Sequence, residues 1–354
     1  MRPSVLAGRC DGLRQSRLRA LPGLAITVVV MMAASAAMAS PLSIAATGVN
    51  ALGPGGGAAT APVATANSSP SASSDLEAPE LAAQSPVGGP APGGPTICPN
   101  PSQTPFAGQV VITAHGTISP GGAPVTQSGG RYSLTGPVNG SVLDLASNTT
   151  IDGSGCALIY TTGPITNYGN ATGVEVRFAS NVTVENFPIT ANGSRAGVWV
   201  NHSASITVYN VSAEHETYGL GVNASTDVNM TSDNASYSHD GVYLNRTIDG
   251  FVDASQAVFT TTAAFEVDTS SQTLILDNDG ADSAYDGVNL LNDSGTRVVG
   301  NDLSHAGVYG LNEVGGSLAL IRSNDLSGTG TYGVSLYNTT GSLTVTGNDL
   351  TGGW

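Results

Sequence analysis

The sequence predicts an all-β solenoid, a parallel β-helix of about 23 residues per coil, and three observations carry that prediction. One phrase recurs eight times. Gly173-Val-Glu-Val-Arg177 returns as Gly197-Val-Trp-Val-Asn201, Gly219-Leu-Gly-Val-Asn223 and Gly241-Val-Tyr-Leu-Asn245. It returns again as Ala264-Phe-Glu-Val-Asp268, Gly287-Val-Asn-Leu-Leu-Asn292, Gly307-Val-Tyr-Gly-Leu-Asn312 and Gly333-Val-Ser-Leu-Tyr-Asn338. The leading positions step by 24, 22, 22, 23, 23, 20 and 26 residues. Each phrase places apolar residues two apart, as one buried face of a strand requires. No stretch shows the three–four spacing of an amphipathic helix.

Two further segments complete each unit. About ten residues after the first strand a second one alternates in the same way: Val182/Val184, Ile206/Val208, Val228/Met230, Leu274/Leu276, Leu318/Leu320 and Leu343/Val345. The third piece is short and led by Asn: Asn186-Phe187, Asn210-Val211, Asn301-Asp-Leu303, Asn324-Asp-Leu326 and Asn348-Asp-Leu350. Ser, Thr, Asn, Asp and Gly fill the turns between them. Three short strands per coil stack at one strand spacing, roughly 4.8 Å. The inward residues then form columns of like side chains, and the recurrent Asn amides stack and satisfy backbone groups at a bend.

These repeats resemble the right-handed parallel β-helix repeats of the pectin-lyase-like superfamily, in particular the secreted relatives of the copper-accessory protein NosD. Ala146-Ser-Asn-Thr-Thr-Ile-Asp-Gly-Ser-Gly155 is similar to the first-coil phrase of that group. The resemblance runs from about Ser141 to Trp354. It implies a fold and leaves activity open, because the shared residues are stacking and turn positions.

Residues 1–39 read as a targeting segment, with Arg9, Arg14, Arg17 and Arg19 before an uncharged apolar run and Ala37-Met-Ala39 as a small-residue cleavage site. A signal peptide and an uncleaved membrane anchor are the two readings; both export the rest of the chain. Residues 40–105 are rich in Ala, Gly, Pro and Ser and read as a disordered linker or stalk. The β-helix is assigned to 106–354, with 106–141 as its opening coils and cap over the strand edges. At the other end Asn348-Asp-Leu350-Thr-Gly-Gly-Trp354 stops in mid-coil. Trp354 folding over the last coil, a partner at that end and a truncated sequence are all compatible with it.

The chain has 11 Lys plus Arg, all of them Arg, against 26 Asp plus Glu. Removing 1–39 leaves six Arg against 25 acids, a formal charge of −19. Such a surface disfavours nucleic acid and anionic lipid, so a membrane enters only through an uncleaved first segment. It also disfavours an anionic polysaccharide unless metal ions intervene. Cys98 and Cys156 are the two cysteines outside the targeting segment and are expected to pair in an exported chain. Fourteen Asn-x-Ser/Thr acceptors, among them Asn67, Asn139, Asn148, Asn170 and Asn181, fit a glycosylated surface protein. Against this, Asn201, Asn223, Asn245 and Asn338 recur at one turn position, and an Asn packed in a ladder cannot carry a glycan.

The junction before each repeated Gly collects polar groups. Glu214, His215, Glu216, His239 and Asp240 are the candidate catalytic set, carboxylates beside imidazoles placed by adjacent coils for acid–base work on a sugar. His239-Asp240 is similar, over two residues, to the His-containing motifs of β-helix uronate epimerases and lyases. The same positions are turns, where such residues are commonly solvated. Asp277, Asp279, Asp282 and Asp286 are the candidate metal ligands, oxygen donors around a Gly that suit Ca²⁺, although the spacing is not that of an EF-hand. The resemblance to NosD implies copper, yet few soft ligands are at hand: Met230, two Cys and five His. Trp199, Tyr218, Tyr243, Tyr309 and Tyr332 are expected exposed near the first strand, as sugar-stacking rings or as plain outward filling. The resulting expectation is a secreted or cell-surface, non-catalytic protein binding a polysaccharide, cell-surface glycan or other partner. The alternative is a carbohydrate-active lyase, epimerase or hydrolase.

Overall fold

The computed structural model describes residues 97–160, 172–191, 194–317 and 320–352. The targeting segment, most of the linker, Asn67, Asn170, Leu318 and Trp354 lie outside them. Every regular element among the described residues is a β-strand. Two parallel ladders run the length of the solenoid, and a third covers its first coils.

Sheet 1 holds the repeated phrase, in strands such as Thr172–Arg177, Ala196–Asn201, Tyr218–Asn223 and Asp240–Asn245. Its inward column runs Val174, Val198, Leu220, Val242, Phe265, Val288, Leu311 and Val334, each paired with the next. Sheet 2 holds the second segment, from Thr149–Asp152 and Ser180–Glu185 to Leu320–Arg322 and Thr344–Thr346. Sheet 3 ends at Ser212–Glu214 and continues as single bridges, Ser212 to Asn234, Gln256, Asp279, Asp302, Asp325 and Asp349. At the first coils, Ile118–Ser119 lies antiparallel to Val110–Ile112, and Val125–Ser128 antiparallel to Arg131–Leu134. These hairpins occupy edges that would otherwise expose unpaired backbone. A disulfide joins Cys98 to Cys156, and Asn100 bonds the carbonyl of Thr135, so residues just after Ile97 are already fastened to the coils. At the far end the inward residues Leu336, Val345 and Leu350 are 41 %, 43 % and 47 % exposed.

The coils from His202 to His305 turn at four corners where the backbone is left-handed. One coil shows His202, Ser205, Asn210 and His215; the next shows Ala224, Asp227, Ser232 and Tyr237. The corners follow one another at 3, 5 and 5 residues. The closing side has 9 residues from Tyr237 to Arg246 and 10 from Phe259 to Thr269 onward. That one added residue is what lengthens the coil from 22 to 23. A non-glycine residue in this region carries a steric cost, smallest for Asn and Asp, and the stacked ladders above and below hold it there.

The repeated glycine has a packing cause. A Cβ on Gly197 would sit 2.2 Å from the Cβ of Ala213, and on Gly219 and Gly241 it would sit 2.4 Å from those of Ala235 and Ala257. Where the phrase has Ala264 instead, the residue across the core is Gly280. In these four coils the pair therefore carries one methyl in all, whereas Gly173, Gly287 and Gly310 face the larger Ile189, Leu303 and Leu326. Gly197→Ala is expected to cost about 1–3 kcal/mol by overpacking, and adding Ala213→Gly to recover most of it. Thermal unfolding of the single and double variants checks this; equal loss in both would refute the size rule.

The structure shifts three readings of the repeat. Gly310, not Gly307, aligns with Gly287 and Gly333, because Val288 pairs with Leu311 and Leu311 with Val334. The steps 20 and 26 thus become 23 and 23, and Glu313 falls into the inward column between Leu290 and Leu336. In sheet 2, Ile275 and Ile321 point inward at 0 % exposure, whereas Leu274, Leu276 and Leu320 point outward. The Asn-led pieces form two ladders rather than one. Asn186 and Asn210 stack at a corner, 2.8 Å apart, while Asn278, Asn301, Asn324 and Asn348 stack one position later, facing inward.

Candidate functional site

The outer face of sheet 1 carries the largest concentration of rings and acids. The middle residue of the phrase forms a column: Glu175, Trp199, Gly221, Tyr243, Glu266, Asn289, Asn312. Beside it, Tyr218 pairs with Asp240, and Asp286 pairs with Ala263 and Tyr309. Trp199 was expected exposed and is 2 % exposed. Gly221 in the next coil leaves its indole room to lie on the sheet, where a Cβ would come within 2.2 Å of the ring. Arg195 covers the indole, its Cζ 3.8 Å from the ring centroid. Tyr218 stacks on Tyr243 at 4.6 Å, and both lie within 6.4 Å of Trp199. Tyr309 stacks on Tyr332 three coils further along.

The acids here are shifted toward their neutral forms. Burial pushes Glu266 up to about 7, helped by the negative charges of Asp240 and Asp268 and opposed by His239. Burial likewise raises Asp240, against the pull of His239, whose Nδ1 is 3.4 Å from its carboxylate. Asp286 is pushed up to about 6 by burial. Tyr243 is pushed up to about 12 by burial and by the neighbouring Tyr218 and acids. Thr262 Oγ1 lies 3.0 Å from His239 Nε2, and the Ala263 N–H donates to Asp240.

The structure divides the candidate catalytic set. His239 and Asp240 stand at the edge of this face. Glu214 belongs to sheet 3 and accepts from Asn234 at 2.6 Å. His215 is a corner residue stacked on Tyr237, which stacks on Phe259. Glu216 is buried and accepts from the Ser194 N–H at 3.0 Å. The left-handed corner at His215 is what sends the three neighbours in different directions. Of the candidate metal ligands, Asp277 and Asp282 occupy two corners, Asp279 lies on the bridge ladder between them and Asp286 is buried at the start of a sheet 1 strand. Among the described residues no three His, Cys, Asp or Glu converge on one point. Glu266, which the sequence reading did not single out, becomes visible once the middle residues of successive phrases are read as a column.

Many glycan-acceptor motifs are accounted for by the turn itself. The Ser203 and Ser225 hydroxyls are buried and accept the N–H of the coil before, and the Asn223 amide donates to Asn201. The amides of Asn181, Asn210 and Asn234 are likewise given to neighbouring side chains. A cavity of about 240 Å³ opens at a different corner, lined in part by Asn186, Phe187, Pro188 and Asn210.

A profile of the family described as periplasmic copper-binding protein (NosD) matches residues 147–328, more than half of the chain. The chain belongs to the NosD family. Its fold is the right-handed parallel β-helix of the pectin-lyase-like superfamily. No curated protein matches it. Solved structures similar to this NosD-family chain include a periplasmic alginate epimerase double mutant, at 11 % identity over 64 % of this chain and 79 % of that one, TM-score 0.41. Another is the Dettilon tailspike protein, at 9 % identity over 69 % and 57 %, TM-score 0.46. A third is the catalytic domain of a GH87 α-1,3-glucanase, at 13 % identity over 70 % and 64 %, TM-score 0.33.

The family's description names copper. Copper favours thiolate, thioether and imidazole. Cys98 and Cys156 are bonded to each other, and Met230 is fully buried between Val208 and Val252. His202 and His215 occupy different corners of one coil, His239 and His305 lie on other coils, and no three candidate ligands converge among the described residues. The described residues of this NosD-family chain do not fit a copper centre.

Proposed function

We propose that this chain is an exported β-helix protein that binds a neutral polysaccharide or cell-surface glycan along the outer face of sheet 1, without turning it over. One observation carries the reading: Tyr218, Tyr243, Asp240, Glu266, Asn289 and Asn312 form a row of rings, carboxyls and amides along successive coils. Aromatic rings favour sugar faces, and carboxyls and amides accept and donate to hydroxyls. The surrounding acids disfavour a uronate chain. The periplasmic designation of the family supports export, as do the targeting features of residues 1–39. A specific observation favours a second, enzymatic reading. Glu266, at about 7, beside Asp240 has the poise of a general acid in glycoside chemistry. The binding reading is preferred because the row of rings, carboxyls and amides runs along the outer face of a sheet over five coils.

The test incubates the full chain with a panel of neutral and acidic polysaccharides and records retention and product release. Retention of a neutral polymer without product is expected, weakened about tenfold by Tyr243→Ala. Product release that disappears in Glu266→Gln would establish the enzyme instead. Neither retention nor product would end the glycan reading.

A further inference from the structure

The outer face of sheet 2 changes character along the solenoid. Its two outward columns can be read from the strand register. In the early coils the first column is Thr150, Thr183, Thr207 and Asn229, and the second is Asp152, Glu185, Tyr209 and Thr231. From the next coil the first becomes Phe251, Leu274, Arg297 and Leu320, and the second Asp253, Leu276, Val299 and Arg322. The inward residues of these coils, Val252, Ile275, Val298 and Ile321, are buried as before. The Leu274-Ile-Leu276 strand is therefore apolar on both faces. A parallel strand with apolar residues on both faces normally has both faces covered. Here the outer one is covered by nothing among the described residues, and Phe251, Leu274, Leu276 and Leu320 are only half-buried against one another.

Charge identifies what fits. The second column reads acid, apolar, apolar, base along the axis: Asp253, Leu276, Val299, Arg322. Among the described residues neither Arg297 nor Arg322 forms an ion pair, while Arg131 and Arg177 do. A column with that order is complementary to its own reverse. A twofold axis lying along the strand direction between the coils of Leu276 and Val299 reverses the axial order and preserves the column. It sets Asp253 against Arg322 of a second copy and Leu276 against Val299, which is 8 % exposed; in the first column it sets Phe251 against Leu320 and Leu274 against Arg297. This is an isologous contact, which closes at two.

We infer that the outer face of sheet 2 over the coils from Phe251 to Arg322 is a self-association surface, on which two copies of this chain pack face to face with antiparallel solenoid axes. The apolar rows span three rungs, roughly 14 Å along the axis. The contact therefore belongs to the small, reversible class of interface. It leaves sheet 1 of both copies open, so it does not depend on the proposed glycan face.

Sedimentation velocity on the full chain, from about 1 to about 200 µM at moderate salt, reads the association. A concentration-dependent monomer–dimer equilibrium is expected. Leu276→Asp should abolish it without changing the circular dichroism spectrum or melting temperature, because the side chain points away from the core. Arg322→Asp should weaken it about tenfold or more by facing two acids. Asp253→Arg combined with Arg322→Asp should restore it, since the exchanged pair is again complementary. A chain that stays monomeric throughout overturns the inference. So does a dimer indifferent to Leu276→Asp, or a double exchange that fails to restore association.

Discussion

Asp233→Asn is expected to stabilise the protein at pH 8 and to leave it nearly unchanged at pH 4. Asp233 is 2 % exposed and stands at the ladder position held by Asn278, Asn301 and Asn324 two, three and four coils later. Its Oδ1 accepts the Val211 N–H at 2.8 Å, just as Asn301 accepts the Asn278 N–H at 2.9 Å. The second atom is where the two differ. The Asn301 amide donates to the Ile275 carbonyl, whereas Asp233 Oδ2 is buried without a partner. Burial pushes Asp233 up to about 8 from an ordinary value of 3.8. A folded-state value above the unfolded one means stability is lost as pH rises. The loss begins as pH passes the unfolded value near 4, runs at about 1.4 kcal/mol per pH unit and levels off near 8. An amide removes that slope and supplies the missing donor. Chemical denaturation of both proteins at pH 4, 6 and 8 measures it. A variant less stable than the parent at pH 8 would show that Asp233 is better served than its geometry implies.

Glu313→Leu is expected to act in the same direction in sheet 1. Glu313 is 1 % exposed in a column whose neighbours are Leu290 and Leu336, and its Oε2 has no partner. Burial, with the nearby charge of Asp293, pushes it up to about 7 from 4.5. The folded protein therefore loses stability between about pH 4.5 and 7, by about 3 kcal/mol for ionisation alone. Leucine restores the column and removes the titration. The parent should melt at a higher temperature at pH 5 than at pH 8, and the Asp233→Asn/Glu313→Leu pair should narrow that gap. Asp233 lies in the turn after a sheet 2 strand and Glu313 in a sheet 1 strand several coils on, so their effects should add. A parent that melts lower at pH 5 than at pH 8 would reverse the sign of the argument.

How far the sequence could be read depended on whether a residue's surroundings came from its own coil. The period, the strand phase of Val182/Val184 through Val228/Met230 and the stacking Asn residues were legible, since each follows from alternation within one strand. Thr273-Leu-Ile-Leu276 offers two apolar phases, and only the polarity of the outer face chooses between them. That face being apolar, the alternation pointed to the wrong pair. Gly307-Val and Gly310-Leu are equally good openings of the phrase; choosing Gly310 requires accepting a glutamate in the core. At the candidate site His239 and Asp240 were found because they adjoin in sequence. Glu266 was not, because its partners Tyr243 and Asp240 lie one coil away. Trp199 was misjudged for the same reason, its cover being Gly221 of the following coil and Arg195 before its own strand.

The regular corners make the molecule divisible. Coils between Phe259 and Gly315 share the corner spacing 10, 3, 5 and 5, so a cut at one corner and a join at the equivalent corner of the next coil leaves every ladder in register. Excising the 23 residues 283–305 would shorten the rod by one rung, roughly 4.8 Å, and bring Leu311 into contact with Phe265. Length in this protein is thus a counted quantity, adjustable in whole steps, and any ligand that spans several coils is measured against the same graduation.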